Sequence, residues 1–309
     1  MGKGKGYGKT ILFGEHFVVY GLEGIPAGLG VTTTCEVKPI DGDKGYDLID
    51  NRPATPGYKE EKKFEYSALI SRILEYMQVP DKLEITLGGD LVPASGIGAS
   101  AATAASLARA INDEYKMNWS DEQINKAAFE GETAGSGTPS GIDNTVAVYG
   151  GFLVFQKNLA GGANKMDLIK VKKPIEIVLG NSGLTALTKE VVGDVKKLKE
   201  AEPARIGKVF DEYTKIVKEA QSAIKKYDLK KVGELMNKNH SLLGQITVSC
   251  KELDEIVDTA RSAGAYGAKL TGTGRGGLVI ALTPGKELQE KVAKAIESKG
   301  YKASRTVIG

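Results

Sequence analysis

The chain has 309 residues, 41% of them apolar and 26% charged, which suffices for two domains with a real hydrophobic core and excludes general disorder. Its net charge of +3 arises from interspersed lysines and acids, so no basic face for nucleic acid is evident. Two distant cysteines, Cys35 and Cys250, exclude a disulfide scaffold and point to a reducing, cytoplasmic compartment, and no apolar run is long enough to span a membrane.

The start, Met1-Gly2-Lys3-Gly4-Lys5, is basic but has no apolar stretch behind it, so it does not read as a secretory signal. Thr10 to Phe13, Phe17 to Tyr20 and Val31 to Thr34 are rich in β-branched and aromatic residues and read as strands separated by glycine turns. Residues 41 to 63 are polar, with Pro53, Pro56 and Gly57, and read as a loop insertion. Tyr66, Leu69, Ile70, Ile73, Leu74 and Met77 then follow helical spacing, and Leu83 to Leu87 alternates as a strand should.

A small-residue loop at 93 to 102 runs into an Ala-rich helix through Ile111. Ser120 and Gln123 predict a capping box ahead of the next helix, and Trp119 before them reads as a core or staple residue. Residues 145 to 156 read as a strand pair, and Ile175 to Leu179 as a buried strand. From 186 to 246 the pattern is helical, broken at Pro203 and again near Tyr227-Asp228. Ser249 and Glu252 predict a second capping box. A glycine turn at 272 to 277, a helix around 285 to 298 and a last strand close the chain. A domain boundary is placed near residue 174, giving domains 1–173 and 174–309.

Four glycine-rich segments are candidates for phosphate. Lys3 to Thr10 nearly matches a Walker P-loop, but Lys3 stands where the first glycine belongs and a strand follows where a helix is required. Gly272-Thr273-Gly274-Arg275-Gly276-Gly277 matches a dinucleotide fingerprint, yet the strand-like Leu278 to Leu282 follows, so a tight hairpin is the competing reading. Pro93 to Ala102 has the order strand, small-residue loop, helix, which suits an anion at a helix N-terminus; a helix entry packed on a sheet would look the same. Gly131 to Asn144 sets Glu132 and Asp143 around a Gly/Ser/Pro loop, two carboxylates that could serve a metal and an acceptor hydroxyl, or simply a turn.

Taken together these segments resemble the GHMP kinase superfamily. Its first motif resembles Gly8 to Gly21, its second the loop at 93 to 102, and its third Lys269 to Gly277, in that order. Gly14-Glu15-His16 with Val18-Val19-Tyr20-Gly21, and Thr138-Pro139-Ser140-Gly141-Ile142-Asp143-Asn144-Thr145, place the resemblance in the mevalonate kinase branch. The second motif departs from the usual paired serines, with Ala99-Ser100, and the third carries Arg275 where many members have glycine.

The resemblance implies an α+β, two-domain GHMP kinase fold, with an N-terminal ribosomal-protein-S5-like domain and a C-terminal ferredoxin-like α/β domain. It implies ATP-dependent phosphorylation of the C5 hydroxyl of mevalonate, with ATP and Mg²⁺ as cofactors, and it leaves a homodimer open. ATP phosphates would meet Pro93, Ser95, Gly96, Ile97, Gly98, Ala99, Ser100 and Ala101. Ser100 and Glu132 would hold Mg²⁺, a hard cation suited to oxygen ligands. Asp143 would accept the hydroxyl proton beside Lys9. Lys9, Glu15, His16, Asp143, Tyr149, Thr188, Gly272 and Thr273 would bind or orient mevalonate. His240, outside the motifs, reads as structural. A sister kinase acting on a sugar or on phosphorylated mevalonate, and a non-catalytic sensor on the same fold, are the alternatives; the presence of Lys9, Glu132 and Asp143 argues against the second.

Overall fold

The computed structural model describes residues 1–41, 45–53, 57–92, 96–136 and 139–309, and the protein is a mixed α+β structure. Its contacts divide the chain into two compact units, one of residues 1–9 and 28–150, the other of 10–27 and 151–309. The division is not a single cut, and the expected boundary at 173/174 falls within the second unit.

Strand β1 (Gly2–Phe13), of which residues 2–9 belong to the first unit, places a glycine at every second position from Gly2 to Gly8. The Ala-rich helix α3 (Ala99–Glu114) lies against that glycine face. A Cβ built on Gly2 would sit 2.2 Å from Ala110 O, one on Gly4 1.9 Å from Ser106 O, and one on Gly6 2.1 Å from Ala102 O. Two strand residues advance about 6.6 Å and four helix residues about 6.0 Å, so the two repeats stay in step. What looks like a P-loop is therefore a strand stripped of side chains so that a helix can approach its backbone.

Strand β2 (Glu23–Pro39) pairs antiparallel with β4 (Leu83–Gly89), Thr33 facing Gly89 and Pro39 facing Leu83. The polar insertion is not all loop. It carries β3 (Asp47–Asp50), parallel to β4, and the short helix α1 (Tyr58–Glu61). Beside β3, Arg52 is buried: its Nε and Nη2 donate to Asp50 at 2.9 and 2.8 Å, and its Nη1 donates to Thr103 Oγ1 at 2.7 Å. Helices α2 (Lys63–Tyr76), α4 (Asp121–Ser136) and α5 (Ile142–Tyr149) pack with α3 around a core that includes Leu69, Ile73, Ile85, Leu107 and Ile124. The capping box ahead of α4 forms, with Gln123 N donating to Ser120 Oγ and Ser120 N to Gln123 Oε1. Trp119 packs against this core, as expected.

Two expected strands are helical. Phe17–Tyr20 is a 3-10 turn, because Phe17 leaves the strand direction to stack on Tyr213, ring centroids 3.9 Å apart. Residues 142–149 form α5, and only Phe152–Gln156 is strand (β5). Six of the eight α5 residues are buried, so the apolar run lacks the polar stripe that reveals a helix.

The second unit holds β5, β6 (Lys165–Ile169), β7 (Ile175–Asn181), β8 (Gly267–Thr271), β9 (Leu278–Leu282) and β10 (Lys302–Ile308). The last four form an antiparallel run in the order β10-β7-β9-β8. Helices α6 (Thr188–Ala201), α7 (Pro203–Lys226) and α8 (Leu229–Gln245) fill the predicted helical stretch. Pro203 starts α7, and Tyr227, left-handed at φ 59°, ends it. Helix α9 (Lys251–Ser262) packs on β8 and β9, and α10 (Lys286–Ser298) on β7 and β10. The second capping box does not form: Cys250 is the N-cap of α9, and Ser249 Oγ donates instead to Asp254 Oδ1 at 2.5 Å. Among the described residues, no helix is long and apolar enough to cross a membrane.

Candidate active site

The predicted site residues fall into two groups, one in each unit. In the first, Lys9 Nζ lies 3.0 Å from Asp143 Oδ1. Lys9 projects from β1, where its amide donates to Ile97 O at 2.7 Å, and its side chain is mostly buried. Asp143 stands in the first turn of α5, behind Gly141, whose φ of 84° suits glycine. Its carboxylate is 40% exposed, open enough to meet a substrate.

Beside this pair, Ser100 Oγ donates to Glu132 Oε1 at 2.5 Å. Ser100 is in the first turn of α3, and Glu132 on α4 is buried. Burial pushes the Glu132 carboxyl up to about 7; the Ser100 hydrogen bond opposes this, the Asp143 charge adds to it and Lys9 opposes it. Burial of this kind disfavours the charged form of the carboxyl. Together with a hydroxyl, the carboxyl offers the hard oxygen donors that Mg²⁺ accepts while keeping waters and phosphate oxygens as its other ligands. The residues present therefore fit the expected ion, and no cluster of three or more His, Cys, Asp or Glu among the described residues offers a competing site.

Of the expected nucleotide loop, Pro93 and Ser95 lie outside the described residues. Gly96 and Gly98 have φ of 73° and 79°. Gly98 is the N-cap of α3 and, having no side chain, leaves the first amides of the helix uncapped by its own residue. Ile97, Ala99 and Ala101 are buried beneath that turn. The geometry is that of a helix N-terminus suited to an anion. Thr138, in the string that carried the resemblance, also lies outside the described residues.

In the second unit, His16 Nε2 is 2.7 Å from Thr273 O, and Thr273 Oγ1 is 2.7 Å from Thr188 Oγ1. A carbonyl can only accept, so Nε2 carries the proton and Nδ1 the lone pair. Burial lowers the His16 pKa, the Arg275 charge lowers it further, and the Thr273 carbonyl opposes both. Gly272 and Gly274 turn the loop at φ of 90° and 81°. Arg275 bonds Asp194 at 2.6 Å and Thr247 O at 3.0 Å, tying the same loop to α6 and to the segment after α8.

One expected substrate contact turns inward. Glu15 is fully buried, with Oε1 against Lys269 Nζ. Tyr149, at the far end of α5, is six residues, about 9 Å, from Asp143. Its hydroxyl pKa is raised by burial and then by Asp121 and Glu122, groups at the start of α4. Lys269, the first residue of the third motif, lies inside the buried strand Gly267-Ala268-Lys269-Leu270-Thr271, where a lysine demands a buried partner. His240 is structural: Leu270 N donates to its Nδ1, its Nε2 faces Asp254, and burial, with the charge of Arg261, takes it down to about 4.

The GHMP kinases N terminal domain profile matches residues 66–151, and the GHMP kinases C terminal profile residues 220–302. A mevalonate kinase of Pyrococcus horikoshii is 35% identical, over 94% of this chain and 91% of that protein. The crystal structure of L. major mevalonate kinase in complex with R-mevalonate superposes with a TM-score of 0.92 at 41% identity, covering 100% of this chain and 96% of that one. The Methanococcus jannaschii mevalonate kinase structure gives 0.82 at 26% identity, over 99% and 98%. By whole-length similarity as well as by its motifs, the chain belongs to the mevalonate kinase family of the GHMP kinases.

Proposed function

We propose that this protein transfers the γ-phosphoryl group of ATP to the C5 hydroxyl of mevalonate, giving 5-phosphomevalonate. The observation that carries the reading is the 3.0 Å contact of Lys9 with Asp143 beside the Ser100–Glu132 pair. Phosphoryl transfer needs the acceptor oxygen oriented and its proton received, and charge on the transferring group neutralised.

Asp143 is the group that receives the proton from the C5 hydroxyl. Lys9 orients that carboxylate and sets positive charge where the transferring oxygens gather negative charge. The first turn of α3, from Gly98 to Ala101, receives the nucleotide phosphates on its backbone amides. Ser100 and Glu132 would hold Mg²⁺, which would supply charge neutralisation to the nucleotide phosphates. His16 and Thr188, joined through Thr273, are assigned to recognition of mevalonate, and the α3 turn gives the nucleotide its orientation.

The test is a coupled ADP-release assay with mevalonate, phosphomevalonate, galactose and homoserine as acceptors. Turnover with mevalonate that exceeds the others by about 10³ in kcat/KM is expected. Turnover on another acceptor with none on mevalonate overturns the substrate; nucleotide binding without turnover on any of them overturns the enzyme.

A further inference from the structure

Glu15 and Lys269 have no exposed side-chain surface, and Nζ of the lysine lies 2.5 Å from Oε1 of the glutamate. The same Nζ donates to Leu270 O at 2.7 Å. Oε2 of Glu15 is equally closed off and has no hydrogen-bond partner among the described residues. Taking two charges out of water costs more than their attraction commonly returns, so such a pair adds little to stability. Its value here lies in what it holds.

The neighbour of Glu15 is His16, whose φ of 63° is unusual for any residue but glycine. Gly14 before it is at φ 123°. The chain turns sharply here and needs fixing on both sides. Phe17 fixes one side by stacking on Tyr213. On the other side, consecutive residues 15 and 16 reach one segment at two points: Glu15 holds Lys269 within β8, and His16 Nε2 holds the carbonyl of Thr273 just after it. Between these points Thr271 Oγ1 donates to Ile11 O and accepts from Ile11 N, so β8 is stitched to β1 as well. Two attachments remove the rotation that one would leave free.

We propose that Glu15 and Lys269 form a buried positioning pair that sets the imidazole of His16 for substrate, and that neither touches mevalonate. The inference rests on the reading of the chain as a mevalonate-phosphorylating enzyme in which His16 serves the acceptor. It differs from the expectation that Glu15 is a substrate ligand.

The pair can be removed without leaving a lone buried charge, as Glu15→Met with Lys269→Met. The chain has two histidines, so the imidazole ¹⁵N signals of His16 are resolvable and report its tautomer without substrate. Lys269→Met alone should raise the mevalonate KM about tenfold, change kcat and the ATP KM less than about threefold, and disturb the Nε2-protonated pattern of His16. The double variant removes that attachment without a lone buried charge, so it should leave the His16 pattern disturbed and the mevalonate KM about as high as in Lys269→Met, and a parent-like KM there would overturn the proposal. A folded double variant with the parent His16 pattern but a mevalonate KM about tenfold above the parent's would show that the carboxylate meets substrate directly, and would overturn the proposal. So would failure of the double variant to fold, or an unchanged mevalonate KM in Lys269→Met. If the parent does not turn over mevalonate, the functional reading fails, while the His16 spectra still decide whether the pair positions the ring.

Discussion

Lys9 Nζ and Asp143 Oδ1 are 3.0 Å apart, joining β1 to the first turn of α5. A partly exposed ion pair of this kind contributes little to stability, so its consequence should be kinetic. Asp143→Asn keeps the shape and removes the proton acceptor; kcat should fall about 10²- to 10⁴-fold with the ATP KM nearly unchanged. Lys9→Met should cost about 10²- to 10³-fold. Because the two act on one hydroxyl, the double variant should be little worse than the worse single one, and steady-state kinetics on the three variants checks this.

Glu132 makes the substrate-free protein sensitive to pH. Its folded pKa of about 7 lies above the ordinary 4.5, so between these values the folded state binds the extra proton. Stability from this group is present below the ordinary value and is lost as pH rises through about 7, by up to about 3 kcal/mol. Thermal unfolding from pH 5 to pH 8 should show the decline in the parent, and Glu132→Gln should flatten it. Protons and Mg²⁺ would compete for the same oxygens, so calorimetric titration with MgADP should show binding weakening as pH falls below about 7.

The glycine face of β1 predicts an unusually severe alanine substitution. Gly4→Ala would put a Cβ 1.9 Å from Ser106 O and 2.5 Å from Ala110 N, both backbone atoms that cannot step aside. A loss of about 3 kcal/mol or more is expected, against a gain of about 0.5–1 kcal/mol for Gly193→Ala, which lies in α6 with nothing near it. Urea unfolding of the two variants tests both signs.

Arg275 occupies a left-handed position at φ 51°, where glycine would be relaxed, and its charge lowers the His16 pKa. Arg275→Gly removes one exposed ion pair and one strained residue together, so the melting temperature should move little. The titration midpoint of His16 should rise, and NMR of the imidazole gives that shift directly.

How much of this could be read in the sequence depended on whether a residue's job was local. Ser120 and Gln123 are three apart and make their capping box as expected. Pro203 starts a helix because its ring fixes φ. The strand β7 and the turn at 272–277 also lie where they were expected. Val18 and Val19 favour extended structure, but a ring stack with Tyr213 decided that segment. Ser249 was spaced to cap α9, but Asp254 took its hydroxyl. Strand β3 was hidden because its polar neighbours look like loop, while Arg52 holds it from within the unit. At the candidate site the motifs brought Lys9 to Asp143 and Ser100 to Glu132. They gave no sign that Glu15 turns inward, since that depends on a lysine in β8.

The bond between Glu15 and Lys269 spans 254 positions. On a ribosome adding about 5–20 residues per second, the glutamate emerges some ten seconds or more before its lysine exists. Through that interval the segment 10–27 belongs to a unit whose other residues begin at 151. Newly made chain therefore carries Glu15 without its lysine until residue 269 is synthesised, and a ribosome stalled before that point would leave the carboxylate unpaired even though Tyr213 is already there for Phe17.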